Sequence, residues 1–182
     1  MSGQANNRVR PVADAIRAHR FEDDGAIPNN PKLPLLVYPG AVALSGADPA
    51  AAFEETFAAN GWSGAWRNGI HPFPHYHSTA HEVLGIARGE AKVRFGGNAG
   101  IVLDVHAGDV VVIPAGVGHQ NLGASGDLLV VGAYPGGADH DLCRGRADER
   151  PRVLDNIRRV ALPAADPVYG REGPLLAEWR NG

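Results

Sequence analysis

From Gly61 to Tyr134 the chain runs in short apolar stretches of period two, each closed by glycine or proline, and that pattern allows little except a sheet. GAWRNGI (64–70), HEVLGIAR (81–88), EAKVRFGG (90–97), IVLDV (101–105), DVVVIP (109–114) and DLLVVGAY (127–134) read as strands. In EAKVRFGG, charged Glu90, Lys92 and Arg94 alternate with apolar Ala91, Val93 and Phe95, as in an antiparallel strand with one solvated face. Gly89 and Gly96-Gly97 bound it and read as hairpin turns. The 24 glycines and 14 prolines approach the level of a flexible chain, yet they fall between β-branched runs and so punctuate turns. Six close strands imply a barrel or sandwich: an all-β, antiparallel domain with a few peripheral helices. With no internal repeat among the 182 residues, one barrel is expected, not two.

Three segments flank or interrupt this pattern. VADAIRAHR (12–20) places Val12, Ile16 and His19 on one helical face, and FEDDGAIPNNPKLP (21–34) reads as an irregular arm held extended by Pro28, Pro31 and Pro34. LLVYPG (35–40) is a candidate first strand. Asp48, Pro49 and Gly61 bracket a helix over 49–60, with Asp48 as N-cap, and Phe53 and Phe57 one turn apart dock it on the barrel. After residue 135 the strand signal ends. RVLDNIRRVAL (152–162) has Val153, Ile157 and Val160 at helical spacing, and the tail to 180 carries Leu175, Leu176 and Trp179 to bury, on its own barrel or on a partner. The expected organisation is an N-terminal helix and arm (1–34), a barrel (35–134) and a C-terminal helix with a packing tail (135–182).

Composition excludes several function classes. A net charge of −3 with acids and bases interspersed argues against nucleic acid and anionic membranes as partners. No apolar run approaches the ~20 residues that span a bilayer. The first residues, MSGQANNRVRPVADAIR, contain no apolar signal core, and Cys143, the single cysteine, forms no internal disulfide. A cytoplasmic address is expected. A size like this buries roughly 70% of the unfolded surface, enough for a core without staples.

Four of the eight histidines fall between residues 71 and 81. His75 and His77, two apart, project from one face of a strand. Glu82 follows a short turn and can come back opposite them. His119 follows the turn Pro114-Ala115-Gly116-Val117-Gly118 and can open a returning strand that points inward. Three imidazoles and a carboxylate in an apolar cup are costly unless a cation pairs them. The nitrogen-rich set suits one divalent transition metal ion (Mn, Fe, Ni, Co, Cu or Zn) over Mg or Ca.

GIHPFPHYHSTAHEVLGIARG (69–89) resembles the first cupin motif, G-x5-H-x-H-x4-E-x6-G, without departure, and GDVVVIPAGVGHQNLG (108–123) resembles the second, G-x5-P-x-G-x2-H-x3-N. The second departs at its last position, where Gly123 stands and Asn121 lies two residues earlier, so the departure touches a turn and not a ligand. The resemblance implies a cupin β-barrel (the double-stranded β-helix or jelly roll), with His75, His77, Glu82 and His119 in the ligand roles. The segments FEDDGAIPNNPKLPLLVYPG, HYHSTAHEVLGIARGEAKVRFGG and VVGAYPGG further resemble a group of uncharacterised single-domain bacterial cupins, the YjlB-like proteins, and imply no particular reaction.

Beyond the ligand set, His81 is a candidate for supporting the metal or carrying protons, although a histidine in a turn is ordinarily exposed. Tyr134 could point its hydroxyl at the barrel mouth or simply be core. His71 and His106 read as surface residues, and Asp139-His140-Asp141 beside Cys143 reads as a polar loop, with a lid as the competing reading. No Ser-His-Asp or phosphate-loop pattern is present, and Cys143 has no evident base. The expected function is a metalloenzyme on a small organic acid or other oxygen-bearing molecule, of dioxygenase, decarboxylase or isomerase type. A non-catalytic ligand-binding module and a purely structural metal site are the alternatives. Partners are expected to be a small-molecule ligand and a second copy of the chain in a homodimer, with the 21–40 arm able to add a strand to the neighbour's sheet.

Overall fold

The computed structural model describes residues 8–11 and 16–181. In chain order it contains β1 (Arg17–His19), β2 (Leu35–Tyr38), α1 (Pro49–Ala59), β3 (Trp62–Asn68), β4 (Glu82–Arg88), β5 (Glu90–Phe95), β6 (Ile101–His106), β7 (Val110–Ile113), β8 (His119–Ala124), β9 (Leu129–Pro135), α2 (Arg152–Arg159) and α3 (Pro174–Arg180). The strands form two antiparallel sheets, one of six in the order β1-β2-β7-β4-β9-β3 and one of three in the order β6-β5-β8, a jelly-roll architecture.

The two sheets differ in patterning because they differ in what covers them. β5 alternates as its sequence predicts: Ala91, Val93 and Phe95 are buried, and Glu90 and Lys92 are exposed. β2, β4, β7 and β9 are buried almost throughout, since both faces of the large sheet are covered. Leu84, Ile86, Val111 and Val130 pack inward against Val93, Phe95 and Val105 of the small sheet. Val83, Ala87, Val112 and Val131 pack outward under Phe53 and Phe57 of α1 and under Leu175, Leu176 and Trp179 of the tail. Each buried phenylalanine contributes about 1.5–3 kcal/mol by removal from water. Gly85 on β4 makes the α1 contact possible, because a Cβ there would lie 2.3 Å from the Phe53 ring. The tail therefore packs on its own chain, with Trp179 Nε1 donating to the Pro34 carbonyl at 2.9 Å.

Four local expectations are corrected. Of the helix expected over 12–20, residues 12–15 lie outside the described residues, and 17–19 are instead a strand paired with β2 (Arg17 opposite Val37), because three residues beside an open sheet edge gain partners that a lone turn of helix lacks. The arm does not reserve a strand for a neighbour: 35–38 pairs within the chain, Val37 opposite Val111 of β7. Gly89 is not a hairpin turn, since β4 and β5 lie in different sheets and the chain crosses between them there; Gly96-Gly97 does join the paired β5 and β6. Asp48 precedes α1 but makes no side-chain cap. Its carboxylate is drawn to the Arg67 guanidinium at 2.8 and 3.0 Å.

Candidate metal centre

Two turns and one strand end bring the motif residues together. His75 sits in a bridge to His119, each backbone N–H donating to the other's carbonyl at 3.2 and 2.9 Å. This lays the 75–77 segment beside the start of β8. The turn into His119 needs Gly116, whose φ of +91° favours glycine and whose Cβ would lie 2.5 Å from the Asn29 carbonyl oxygen. The N-terminal arm straps the same turn: Gly118 N donates to Asn29 Oδ1 at 3.2 Å, and Asn30 Nδ2 donates to the Ala115 carbonyl at 3.0 Å. Nothing in the motifs points to these two asparagines; their only sequence signal is an Asn pair between prolines.

His75, His77 and His119 are buried, and their ligand atoms lie within 4.8 Å of one another. Glu82, at the start of β4 and 2% exposed, reaches the same point. Its Oε2 is 3.3 Å from His77 Nε2, and its Oε1 is 3.3 Å from His119 Nε2. The far nitrogen of each ring is tied to the backbone. His75 Nδ1 faces the Phe73 carbonyl at 3.0 Å, His119 Nδ1 faces that of Val117 at 3.2 Å, and His77 Nδ1 faces that of Asp141. A carbonyl only accepts, so each Nδ1 carries the proton and each Nε2 presents a lone pair to the centre. Lone pairs on the neutral rings then confront a carboxylate, an arrangement that a cation relieves and that, without one, a proton on Nε2 relieves by hydrogen bonding to Glu82.

The electrostatics follow from that crowding. Burial, reinforced by the neighbouring His119, pushes His75 down to about 2. Burial opposes a charge on His77 too, but its contacts with Glu82 outweigh it and raise the imidazole above its ordinary value. Burial alone would raise Glu82; hydrogen bonding to His119 and His77 overrides it and holds the carboxyl well below the usual range.

A cavity of about 420 Å³ opens onto the cluster, within the range of small-molecule sites. Trp66, Ile70, Leu84 and Leu142 supply apolar wall, and Asn68, His71, Tyr134 and His140 supply polar groups. Tyr134 is buried, and its hydroxyl meets Glu82 Oε2 at 2.8 Å on the lining of the cavity. The loop at 139–143 is not idle: beyond the Asp141 carbonyl on His77, the Asp141 carboxylate accepts from Ser78 N at 2.6 Å, and Cys143 pairs with Tyr76. Burial pushes the Cys143 thiol up to about 12, so it is no thiolate nucleophile.

His81 corrects an expectation. It is not exposed but 1% accessible, on the face of β4 away from the cavity, with its ring 4.7 Å from that of Trp179. Ala115 N donates to its Nδ1 at 2.9 Å. Its Nε2 is buried and has no partner in hydrogen-bond geometry among the described residues; the Ala161 carbonyl lies close enough only to favour a proton there. His106 is exposed, as expected, and His71 is exposed at the cavity rim, its ring 5.0 Å from that of His75.

A jelly roll with two motif turns meeting at a buried His/His/His/Glu cluster defines a cupin, and the comparisons agree. The chain belongs to the cupin family: the profile described as Cupin domain matches residues 63–131. Within the family it falls with the YjlB-like single-domain bacterial cupins, being 45% identical over 159 residues to the uncharacterised protein YjlB of Bacillus subtilis, across 87% of this chain and 93% of that one. Among solved structures, an acireductone dioxygenase from Bacillus anthracis is 15% identical over 47% of this chain and 58% of its own, with a TM-score of 0.35. An oxalate decarboxylase from Bacillus subtilis is 16% identical over 61% and 28%, also with a TM-score of 0.35. Likenesses this partial carry no argument about ligand or reaction. No helix among the described residues is long and apolar enough to cross a membrane.

Proposed function

We propose that this chain is a metal-dependent cupin in which His75, His77, His119 and Glu82 hold one divalent transition metal ion and the adjoining cavity admits a small oxygen-bearing molecule, such as an organic acid, for turnover. The observation that carries the reading is the fixed direction of the three rings: every Nδ1 is committed to a backbone carbonyl, so every Nε2 lone pair is aimed at the Glu82 side of the cluster. The donor set, three imidazoles and one carboxylate, fits Mn, Fe, Co, Ni, Cu or Zn better than Mg or Ca. A bound ion of this kind supplies a Lewis acid that polarises a carbonyl or carboxylate oxygen.

The chain's own residues supply the rest. The apolar wall of Trp66, Ile70 and Leu84 excludes water from one side of the cavity, and Asn68 and His71 offer polar contacts toward its rim. Tyr134 and His140, stacked with ring centroids 4.1 Å apart, place a hydroxyl and an imidazole beside Glu82, where a ligand's polar end would lie.

Elemental analysis of protein purified without an affinity tag tests the reading. About one metal per chain is expected in the parent and in His106→Ala, and none in His119→Ala. Equal metal in both variants overturns the assignment of His119. Turnover of candidate acids by the metal-loaded protein, absent in His77→Ala, separates an enzyme from a binding module.

A further inference from the structure

The Tyr134 hydroxyl stands at the junction of three polar contacts. Trp66 Nε1 donates to it at 2.8 Å, Glu82 Oε2 lies 2.8 Å away, and His140 Nε2 lies 3.2 Å away. An indole N–H only donates, and a phenol has one proton and two lone pairs. Trp66 takes one lone pair. The proton has two acceptors in reach, and the carboxylate is both nearer and charged, which makes its bond roughly twice as strong as a neutral one. The proton therefore goes to Glu82, and the second lone pair is left to His140. The chain of bonds runs one way, from Trp66 and His140 through Tyr134 into a single oxygen of Glu82.

We propose that Tyr134 is a positioning residue for Glu82: it commits Oε2 to a hydrogen bond, leaves Oε1 as the oxygen that Glu82 offers to a cation, and so keeps the cavity side of the centre open to an exogenous ligand. This role rests on the metal reading above. Trp66 takes part by orienting the phenol, and Gly132 makes room for it, since a Cβ there would lie 2.2 Å from the Trp66 ring. Without the phenol proton, both carboxylate oxygens are free to turn to the cation and occupy the position that a ligand needs.

A matched pair of buried tyrosines separates positioning from mere packing. Tyr38 is as buried as Tyr134 and also bonds a carboxylate, its hydroxyl donating to Asp166 Oδ2 at 2.6 Å, but on the outward face of the large sheet. Each is changed to Phe, the metal-free proteins are loaded with one equivalent of Co(II), and visible absorption and azide affinity are read. Tyr134→Phe is expected to change the position and intensity of the cobalt bands and to weaken azide binding about tenfold, the equivalent of one charge-assisted bond. Tyr38→Phe is expected to lower the melting temperature while leaving both readouts at parent values. A Tyr134→Phe protein with parent cobalt bands and parent azide affinity overturns the proposal, as do cobalt bands that move equally in both variants. Should Tyr134→Phe fail to fold, Trp66→Phe, which loosens the phenol but leaves its proton, is expected to shift the bands in the same direction by less, and unshifted bands there overturn the proposal. A parent protein that takes up no cobalt overturns the metal reading and this role with it.

Discussion

His81 and Glu82 are neighbours in sequence and opposites in environment, because the chain entering β4 at Glu82 sends successive side chains to the two faces of the large sheet. Glu82 turns inward, where two imidazoles, a phenol and a cavity meet it. His81 turns outward, where Trp179 covers it and, among the described residues, no acceptor in good geometry meets its Nε2. Both polar groups are almost fully buried, yet one is surrounded by complementary chemistry and the other is silenced by packing. Burial of a histidine next to a ligand is thus no sign of function here; convergence of partners is. The outward face serves as a scaffold that holds β4 and the His119 turn in place, and the inward face carries the clustered imidazoles and carboxylate.

That division is open to challenge from the scaffold side first. Trp179→Ala removes a ring that is 2% exposed and is expected to cost about 3–5 kcal/mol in chemical denaturation while metal stoichiometry stays unchanged. Loss of metal from the still-folded variant would break the separation of the two faces.

The next largest effect lies in pH. Burial lowers His81 to about 4, against an ordinary value of 6.5. Between those values the unfolded chain binds the extra proton, so stability is full above 6.5 and falls as pH drops toward 4, by roughly 3 kcal/mol from this residue. His75, lowered by burial, acts in the same sense, and the raised His77 acts in the opposite sense. The difference between metal-free parent and His81→Leu isolates the outward histidine. Parallel stability curves from pH 7 to 4 would show that His81 is not held neutral.

On the inward face, the raised His77 must give up a proton to become a ligand. Metal affinity is therefore expected to fall about tenfold per pH unit once the pH drops below the raised value of His77, so the fall begins above the ordinary histidine range, as one proton competes with one ion. Occupancy unchanged down to about pH 4 would contradict the three-histidine set. The smallest effect concerns the helix that braces the outward face. Asp48→Ala should leave the melting temperature close to that of the parent, since it loses an exposed ion pair and no cap; a clear drop in thermal melts would restore a capping role.

The residues that could be read in advance were those whose spacing has a physical meaning by itself. Two histidines in alternation, a carboxylate across a short turn and a histidine after a glycine turn are placed by local geometry, and so are α1 and the alternating β5. The missed features depend on distant chain. β8, the returning strand expected at His119, reads HQNLGA without a β-branched residue, and its run to Ala124 is set by the partners that β5 offers. Residues 17–19 become a strand for the same reason at the other sheet's edge. Trp66, His140 and the Asp141 carbonyl reach the centre from outside both motifs, on an edge strand and a returning loop; no local pattern marks Trp66, and the polar run 139–141 stands out in sequence without showing what it meets.

X-ray absorption at the metal edge, on protein loaded with a single equivalent of zinc, reads the ligand set itself. The expected spectrum shows a shell of nitrogen and oxygen donors with outer-shell scattering from imidazole rings, and a marked loss of that scattering in His75→Ala. A sulfur shell, or a spectrum without imidazole scattering, would contradict it.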